Sequence, residues 1–581
     1  MLFFLFAMPV IIQHCLTLWY DFGTISGNIM VQNLLRKHID AALASWTAGK
    51  QIAAPPAYQL TEPPKGIGGD FACNAALLLA RQLKLNPRDV AEELSGLIAS
   101  RLSEYVESVS IAGAGFINMR LSFKFILSRL EDILAREDDF GRGDTGAGRK
   151  VLIEFVSANP TGPLHIGHGR GAAIGDSLAR IFSFAGFSVT REYYLNDTGN
   201  QIGMLAKSVS ARYGQLRGEN VEFPEDGYKG AYISAIAAAA RAQEEKAGAL
   251  PELGAFAVEQ ILSGIKKDLA AFDVSFDNWF SETGIAVKKS GAPPQTFVET
   301  MCGRLLEQGF AYEKDGALWF ASSRYGDDKD RVLKRSDGRY TYLASDIAYH
   351  KNKLERGFEL LINLWGADHH GYVPRMKAAI QALGAPPETL NIILYQLVSL
   401  SRAGKPVSMS TRSGEFVTLE EVLSEVGRDA CRFFFMLRAP DSPLEFDLEL
   451  AKKQSSDNPV FYVQYVHARS HSIFREAESK GLKLSGERQF SLLTTAEERA
   501  LLKRLILFAD TIDLCLKTSS PHHMTAYLME LADTYHRFYE KCRVLTDDPQ
   551  LSAARLGLVR AVTIVIKNGL SLLGVSAPEK M

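Results

Sequence analysis

The sequence predicts a multidomain α/β protein: a small α+β unit first, then a doubly wound, Rossmann-like core with an insertion, then an all-helical bundle. Three observations predict it. Two short, apolar, β-rich runs at 151–156 and 188–195 flank a glycine-rich loop and a helix, the order of a doubly wound parallel sheet. The pattern resumes at 358–364 and 391–398. From about 457 to 573 the apolar spacing is almost continuously helical. At roughly 100–200 residues per domain, 581 residues leave room for several such units.

Residues 1–29 stand apart. Residues 1–12 are almost wholly apolar, yet the first Lys or Arg is Arg36, and the run breaks at Gln13-His14. That is short of the about 20 residues a spanning helix needs. The reading favoured is a mis-called or non-native extension, with translation starting at Met30, where an amphipathic helix opens. A targeting segment is the alternative, and the intact mass of the native protein separates the two.

Residues 30–145 read as the α+β unit, with helices over 72–83 and 86–100 and a strand over 116–121. Pro87 suits a first helical turn. Residues 141–148, rich in glycine, read as a linker. Residues 146–455 read as the sheet domain. Its first helix opens near His165 or Gly167, because Pro160 and Pro163 forbid regular helix before that point. About 203–326 reads as an inserted connective segment, with an Ala-rich helix over 234–247, and 456–581 reads as the bundle.

Composition narrows the function classes. Lys and Arg total 65 and Asp and Glu 67, a net charge of −2, with 46% hydrophobic and 23% charged residues. This excludes wholesale disorder, a collagen-like fibre and a polytopic membrane protein, and argues against coating nucleic acid by bulk charge. The charge is uneven: residues 451–581 hold 18 Lys and Arg against 14 Asp and Glu, so they carry +4 and the remainder −6. A nucleic-acid partner would then be held by shape and base contacts more than by charge. The six cysteines, Cys15, Cys73, Cys302, Cys431, Cys515 and Cys542, form no paired motif. That disfavours structural zinc and suits a reducing cytosol.

Three loops carry candidate chemistry. His165-Ile166-Gly167-His168-Gly169 follows an apolar strand and opens a helix. Its two histidines share a helix face, its glycines let a ligand approach the backbone, and the helix N-terminus suits a phosphate. A metal pair or two surface histidines are the bland alternatives. Trp365-Gly366-Ala367-Asp368-His369-His370 follows another strand; Gly366 permits close approach, and Asp368 can accept from ribose hydroxyls. Ser408-Met409-Ser410-Thr411-Arg412 is a polar loop with hydroxyls and a cation, able to close over a leaving pyrophosphate; alone it is an ordinary Ser/Gly loop.

Together the loops resemble class I aminoacyl-tRNA synthetases, with 165–168 as the HIGH motif and 408–412 as the KMSKS-like loop. Longer blocks resemble the bacterial arginyl-tRNA synthetases. They are Ile153-Glu154-Phe155-Val156-Ser157-Ala158-Asn159-Pro160-Thr161-Gly162-Pro163-Leu164, Tyr194-Leu195-Asn196-Asp197-Thr198-Gly199-Asn200-Gln201, Tyr342-Leu343-Ala344-Ser345-Asp346-Ile347-Ala348-Tyr349-His350, and Asp457-Asn458-Pro459-Val460-Phe461-Tyr462-Val463-Gln464-Tyr465. The resemblance runs from Met30 to Met581. It implies a class I synthetase core, an N-terminal domain that grips the tRNA elbow, and a C-terminal anticodon-binding bundle. It implies L-arginine, ATP with Mg2+ and tRNA(Arg) as substrates, a tRNA-dependent first step, and a cytoplasmic monomer with no membrane role and no structural zinc.

The resemblance also implies residue roles. His165, His168 and Arg412 act in catalysis. Pro163, Ile166, Gly167, Gly169, Gly366, Asp368, His369, Met409, Ser410 and Thr411 face ATP. Glu154, Ser157, Asn159, Tyr342 and Asp346 face arginine, which fits a guanidinium's need for carboxylate and carbonyl acceptors. Phe461, Tyr462, Gln464, Tyr465 and Arg469 face tRNA. One departure matters: Ser408 and Thr411 stand where the loop's lysines usually are, and Thr161-Gly162-Pro163 holds no lysine to replace them. Arg412 is the first candidate to meet the pyrophosphate charge, then Lys405 and Arg402. The alternatives are another class I enzyme, such as a cysteinyl or glutaminyl one, and a non-catalytic tRNA-binding paralogue.

Overall fold

The computed structural model describes residues 30–48, 50, 52, 55–64, 66–283, 296–407, 417–482 and 489–581. The extension 1–29 therefore lies outside the described residues. The N-terminal unit is an antiparallel sheet in the order Leu60–Thr61, Phe71–Cys73, Phe116–Leu121, Val106–Ala112, packed by the helices Val31–Thr47, Ala75–Leu83 and Pro87–Arg101. Ala72 and Cys73, expected in a helix, pair instead with Asn118 and Ile117, and the helix starts after them. Asn86 caps the next helix, its side chain accepting from Arg88 N, with Pro87 in the first turn.

At the centre lies a five-stranded parallel sheet. Its order is Leu390–Tyr395, Leu360–Gly366, Lys150–Glu154, Ser188–Leu195, Asn278–Ser281. Its central strands, Lys150–Glu154 and Leu360–Gly366, are mostly apolar because both faces are covered. Val151 and Ile153 join one hydrophobic cluster, and Leu152 and Leu361 join the other. The chain order reverses between Lys150–Glu154 and Leu360–Gly366, and ligands bind at the carboxyl ends beside such a switch point.

Two expectations change here. Asn278–Ser281 is a strand of the main sheet, so 203–326 is not one insertion. It divides into a helical crossover (Asn200–Leu216, Ala231–Ala247, Leu253–Ala271) and a later unit of the helix Phe297–Glu307 and a three-stranded antiparallel sheet. The run 391–398 spans two strands: Leu390–Tyr395 pairs in the main sheet, whereas Val398–Arg402 pairs with Leu444–Asp447. The glycine-rich 141–148 is a strap rather than a loose linker. Its amides at Gly143, Gly146 and Gly148 donate to the carbonyls of Phe184, Ala185 and Gly186, and a Cβ on Gly146 would stand 2.3 Å from Phe187 N.

The C-terminal helices Pro459–Ser479, Ala496–Ile506, Phe508–Thr518, His522–Lys541 and Pro549–Leu572 form the bundle. The last is long and apolar enough to cross a membrane by composition, but most of it is buried in the bundle core. The bundle holds both other units. The Asp510 carboxylate accepts from Val31 N (3.0 Å) and Gln32 N (2.8 Å), capping the first helix of the chain. Arg432, fully buried, donates to Asp176 Oδ2 (2.6 Å), Leu573 O (2.8 Å) and Phe272 O (3.0 Å), so it ties the signature helix Ile166–Phe184 to the end of the bundle. Asp176 keeps a bond from Arg180 (2.7 Å), but without Arg432 the buried carbonyls of Leu573 and Phe272 lose their donor and the side chain leaves a void. Arg432→Ala should cost about 3 kcal/mol, read as a lower urea midpoint with an unchanged far-ultraviolet spectrum in native buffer.

Candidate active site at the switch point

The loop after Lys150–Glu154 is backbone-strained. Val156 has φ 66° and Ser157 φ 41°, a left-handed pair that a β-branched residue rarely adopts. Strain of this kind is held in place by its surroundings. Here Ser157 Oγ donates to Glu154 Oε1 (3.2 Å) and accepts from Tyr194 N (3.1 Å). Tyr193 OH donates to Ala158 O (2.8 Å), and Tyr232 OH, from the crossover helices, donates to Thr161 O (2.7 Å). Asn159 Nδ2 donates to Gln201 Oε1 (2.6 Å). Pro160 and Leu164 are buried, and Gly162 and Pro163 are half-buried.

His165 is the N-cap of the signature helix. Its Nδ1 accepts from Gly167 N (3.1 Å), and His168 Nδ1 accepts from His165 N (3.2 Å), a reciprocal cap made by two imidazoles. The rings stack with centroids 3.7 Å apart. Burial lowers the pKa of His165; burial and the neighbouring His165 push that of His168 down to about 3. Both rings are therefore neutral at physiological pH. Because Nδ1 accepts, the proton of each ring is on Nε2, a donor that phosphate oxygens accept. Leu419 N donates to Leu164 O (2.8 Å), and Thr418 forms a β-bridge with His165, so the backbone at 418–419 runs beside the start of the signature helix.

Two glycine expectations divide. Gly167 is half-buried, and an added Cβ would meet only the His165 ring. Gly169 is buried, and a Cβ there would stand 2.7 Å from Leu419 and 3.2 Å from Phe435. It is a packing position and does not open the backbone to ATP. The Ile166 side chain is buried too. Across the crevice, Gly366 leaves room for the Asp368 carboxylate, whose Oδ1 would be 2.5 Å from an added Cβ; Asp368 and His369 are exposed. Met409, Ser410, Thr411 and Arg412 lie outside the described residues. Arg402 donates to Glu425 (2.6 Å) and Glu449 (2.7 Å), so its charge is already met.

Strand register builds the neighbouring pocket. In-register pairing sets Asn363, Glu154, Glu192 and Asn278 side by side across four strands, so one polar row crosses an otherwise apolar sheet. The helix Tyr342–Glu355 and Arg356 just beyond it supply countercharges. Arg356 makes two bonds to Glu192 (2.5 and 2.8 Å), which also accepts from Tyr349 OH (2.5 Å) and Asn278 (2.6 Å). Lys353 donates to Glu154 Oε2 (2.5 Å).

Above the row stands a group of carboxylates. Asp346 Oδ2 accepts from Tyr372 OH (2.5 Å). Burial pushes the Asp346 carboxyl up to about 6, against the Tyr372 bond, with Glu154 and Glu282 adding to the rise. Burial also raises the pKa of Glu282. Asp197 Oδ2 accepts from Ser281 Oγ (2.5 Å), while its buried Oδ1 has no donor among the described residues. Tyr194 lies among all four acids, which with burial raise its pKa. Tyr342 is 72% exposed at the head of its helix. Glu282 and Asp197 were not singled out from the sequence, since only the pairing of Ser188–Leu195 with Asn278–Ser281 brings them together. Crowded carboxylates with raised pKa values call for a cation. Among the described residues, no group of three or more His, Cys, Asp or Glu side chains is placed to hold a metal ion.

On the bundle, Phe461 stacks on Tyr465 (6.3 Å, 12°), and Tyr465 on His536 (6.0 Å, 21°). Tyr462 packs on the same histidine (4.6 Å), and Arg469 bonds Tyr539 OH. Gln464 is a correction. It is buried, with its amide donating to Asp429 Oδ2 (2.9 Å) and Ser576 O (2.9 Å), so it joins two domains and does not face RNA.

Comparison with known proteins agrees with this geometry. Matches are found to the arginyl tRNA synthetase N terminal domain over residues 33–121, to the tRNA synthetases class I (R) catalytic domain over 129–227 and 265–437, and to the DALR anticodon binding domain over 463–581. The chain is 50% identical over 558 residues to an arginine–tRNA ligase of Syntrophotalea carbinolica, covering 94% of this chain and 99% of that one. It is 47% identical to that of Nitratidesulfovibrio vulgaris strain DP4, covering 94% and 100%. The solved Thermus thermophilus arginyl-tRNA synthetase superposes with a TM-score of 0.76 at 25% identity, covering 95% of this chain and 100% of that one. With the switch-point histidines, the acid-lined pocket and near-complete coverage in agreement, this chain belongs to the arginyl-tRNA synthetases.

Proposed function

We propose that the guanidinium of L-arginine is held between Glu154 and Asp346, with Glu282 and Asp197 completing the negative field. The family's reaction activates arginine with ATP and Mg2+ to arginyl-adenylate, then transfers it to tRNA(Arg), releasing AMP and diphosphate. The observation that carries the pocket reading is the group of four carboxylates around Tyr194 with one orphan oxygen. Asn159 and Ser157 orient the amino and carboxylate groups, and Tyr342 closes over the side chain. The Nε2–H groups of His165 and His168 meet the phosphate charge that grows as the arginine carboxylate attacks. Gly167, Gly366, Asp368 and His369 border the nucleotide, and Arg412 meets the pyrophosphate. Phe461, Tyr462 and Tyr465 form a stacking surface for anticodon bases. The enzyme works as a cytoplasmic monomer. Amino-acid-dependent ATP–pyrophosphate exchange with tRNA(Arg) present tests the pocket: arginine should support exchange while lysine and citrulline do not, and equal rates with lysine would refute it.

The pocket also predicts a pH dependence. Arginine stays positive throughout, so binding needs Asp346 ionised. With its carboxyl at about 6 in the free enzyme, the KM for arginine should be flat above about pH 7. It should climb towards tenfold per unit as the pH falls well below 6. Initial-rate exchange from pH 5 to 8 checks this.

A further inference from the structure

Asp346, His350 and Lys353 are spaced i, i+4, i+7, so they share one face of the helix Tyr342–Glu355. That face carries a closed polar chain. His350 Nδ1 bonds Asp346 O (2.8 Å), Asn363 Nδ2 donates to His350 Nε2 (3.0 Å), and Lys353 Nζ donates to Asn363 Oδ1 (3.1 Å) and to Glu154 Oε2 (2.5 Å). Lys353 is fully buried, and its ammonium also lies 4.3 Å from the centre of the Tyr349 ring. No substrate atom can reach it, yet it contacts one of the two carboxylates assigned to the guanidinium and is linked to the backbone of the other. Glu192, one strand away, has a guanidinium of its own in Arg356, whereas Lys353 is the one cation bonded to Glu154 among the described residues.

We propose that Lys353 is a positioning residue for amino-acid recognition: its buried ammonium pairs with the Glu154 carboxylate and fixes its orientation, and so makes the pocket select a cationic guanidinium over its neutral analogue. The proposal rests on the reading that Glu154 faces arginine. Lys353→Met would leave Glu154 without the one cation bonded to it among the described residues, so the carboxylate would lose the bond that fixes its orientation. Arginine would then lose an oriented charged acceptor, whereas citrulline, whose neutral ureido group gains less from that charge, would lose less.

The test is tRNA-dependent ATP–pyrophosphate exchange with Lys353→Met, Lys353→Gln, Glu154→Gln and the Glu154→Gln/Lys353→Met double variant. Citrulline is assayed as an inhibitor. Lys353→Met should raise the arginine KM at least tenfold, leave the KM values for ATP and tRNA within twofold, and narrow the gap between arginine and citrulline. The double variant should be no worse than Glu154→Gln alone, since Lys353 acts through Glu154. Lys353→Gln, which keeps a hydrogen-bond donor, is read by the same criteria if the Met variant fails to fold. An arginine KM within twofold of wild type in a folded variant, equal losses for all three substrates, or additive losses in the double variant would overturn the proposal. If Glu154→Gln itself leaves the arginine KM unchanged, the pocket reading fails instead.

Discussion

Glu154→Gln should lower kcat/KM for arginine by about 10^3 in tRNA-dependent exchange, mostly through KM. The substitution keeps the side-chain volume and one acceptor but removes a charge facing the guanidinium. It also leaves the Lys353 ammonium buried without its partner, 2.5 Å from where the carboxylate stood. Truncating one member of a desolvated, hydrogen-bonded charge pair costs about 2–5 kcal/mol, and each 1.4 kcal/mol is tenfold. Asp346→Asn should act the same way and also abolish the acid limb of the pH profile, because the group that titrates near 6 is gone. ATP binding should change little in either variant. A loss confined to kcat, or shared equally by ATP, would place these carboxylates outside the arginine pocket.

His168→Ala should act on the other side of the kinetic scheme. Its Nε2–H is assigned to charge that develops on the phosphates, and removing one such preorganised donor costs about 10^2–10^3 in kcat. Arginine KM should hold within a few-fold. The variant also gives up one half of the imidazole cap, since His168 Nδ1 no longer accepts from His165 N. Losing a cap costs about 1 kcal/mol, too little to unfold the domain. Rapid-quench formation of arginyl-adenylate with tRNA bound separates slow chemistry from weak binding, and a normal burst rate would sink the assignment.

Much of the catalytic core was legible because its signals are local. An apolar strand, two prolines that delay the helix, and histidines three apart placed the cap within a residue of where it stands. The strands 116–121 and 188–195 matched for the same reason. What stayed hidden depends on partners far along the chain. The row Asn363, Glu154, Glu192, Asn278 exists only once four strands are in register, and no run of sequence contains it. Asn278–Ser281 is four half-buried residues, too short to show alternation. Gly169 looked like an opening for a ligand, but the helix and side chain that fill the space come from Leu419 and Phe435. Gln464 sat within an aromatic, solvent-directed stretch and gave no sign of its bond to Ser576. Lys353 had a readable signal in its i, i+7 spacing from Asp346, but its importance needed the neighbouring strand.

The most direct test of the account is charging of tRNA(Arg) with radiolabelled arginine by the purified chain, with and without ATP and against the other amino acids. The account predicts ATP-dependent formation of a base-labile arginyl ester, and pyrophosphate exchange only when tRNA is present. Binding of tRNA without charging, or charging with a different amino acid, would contradict it.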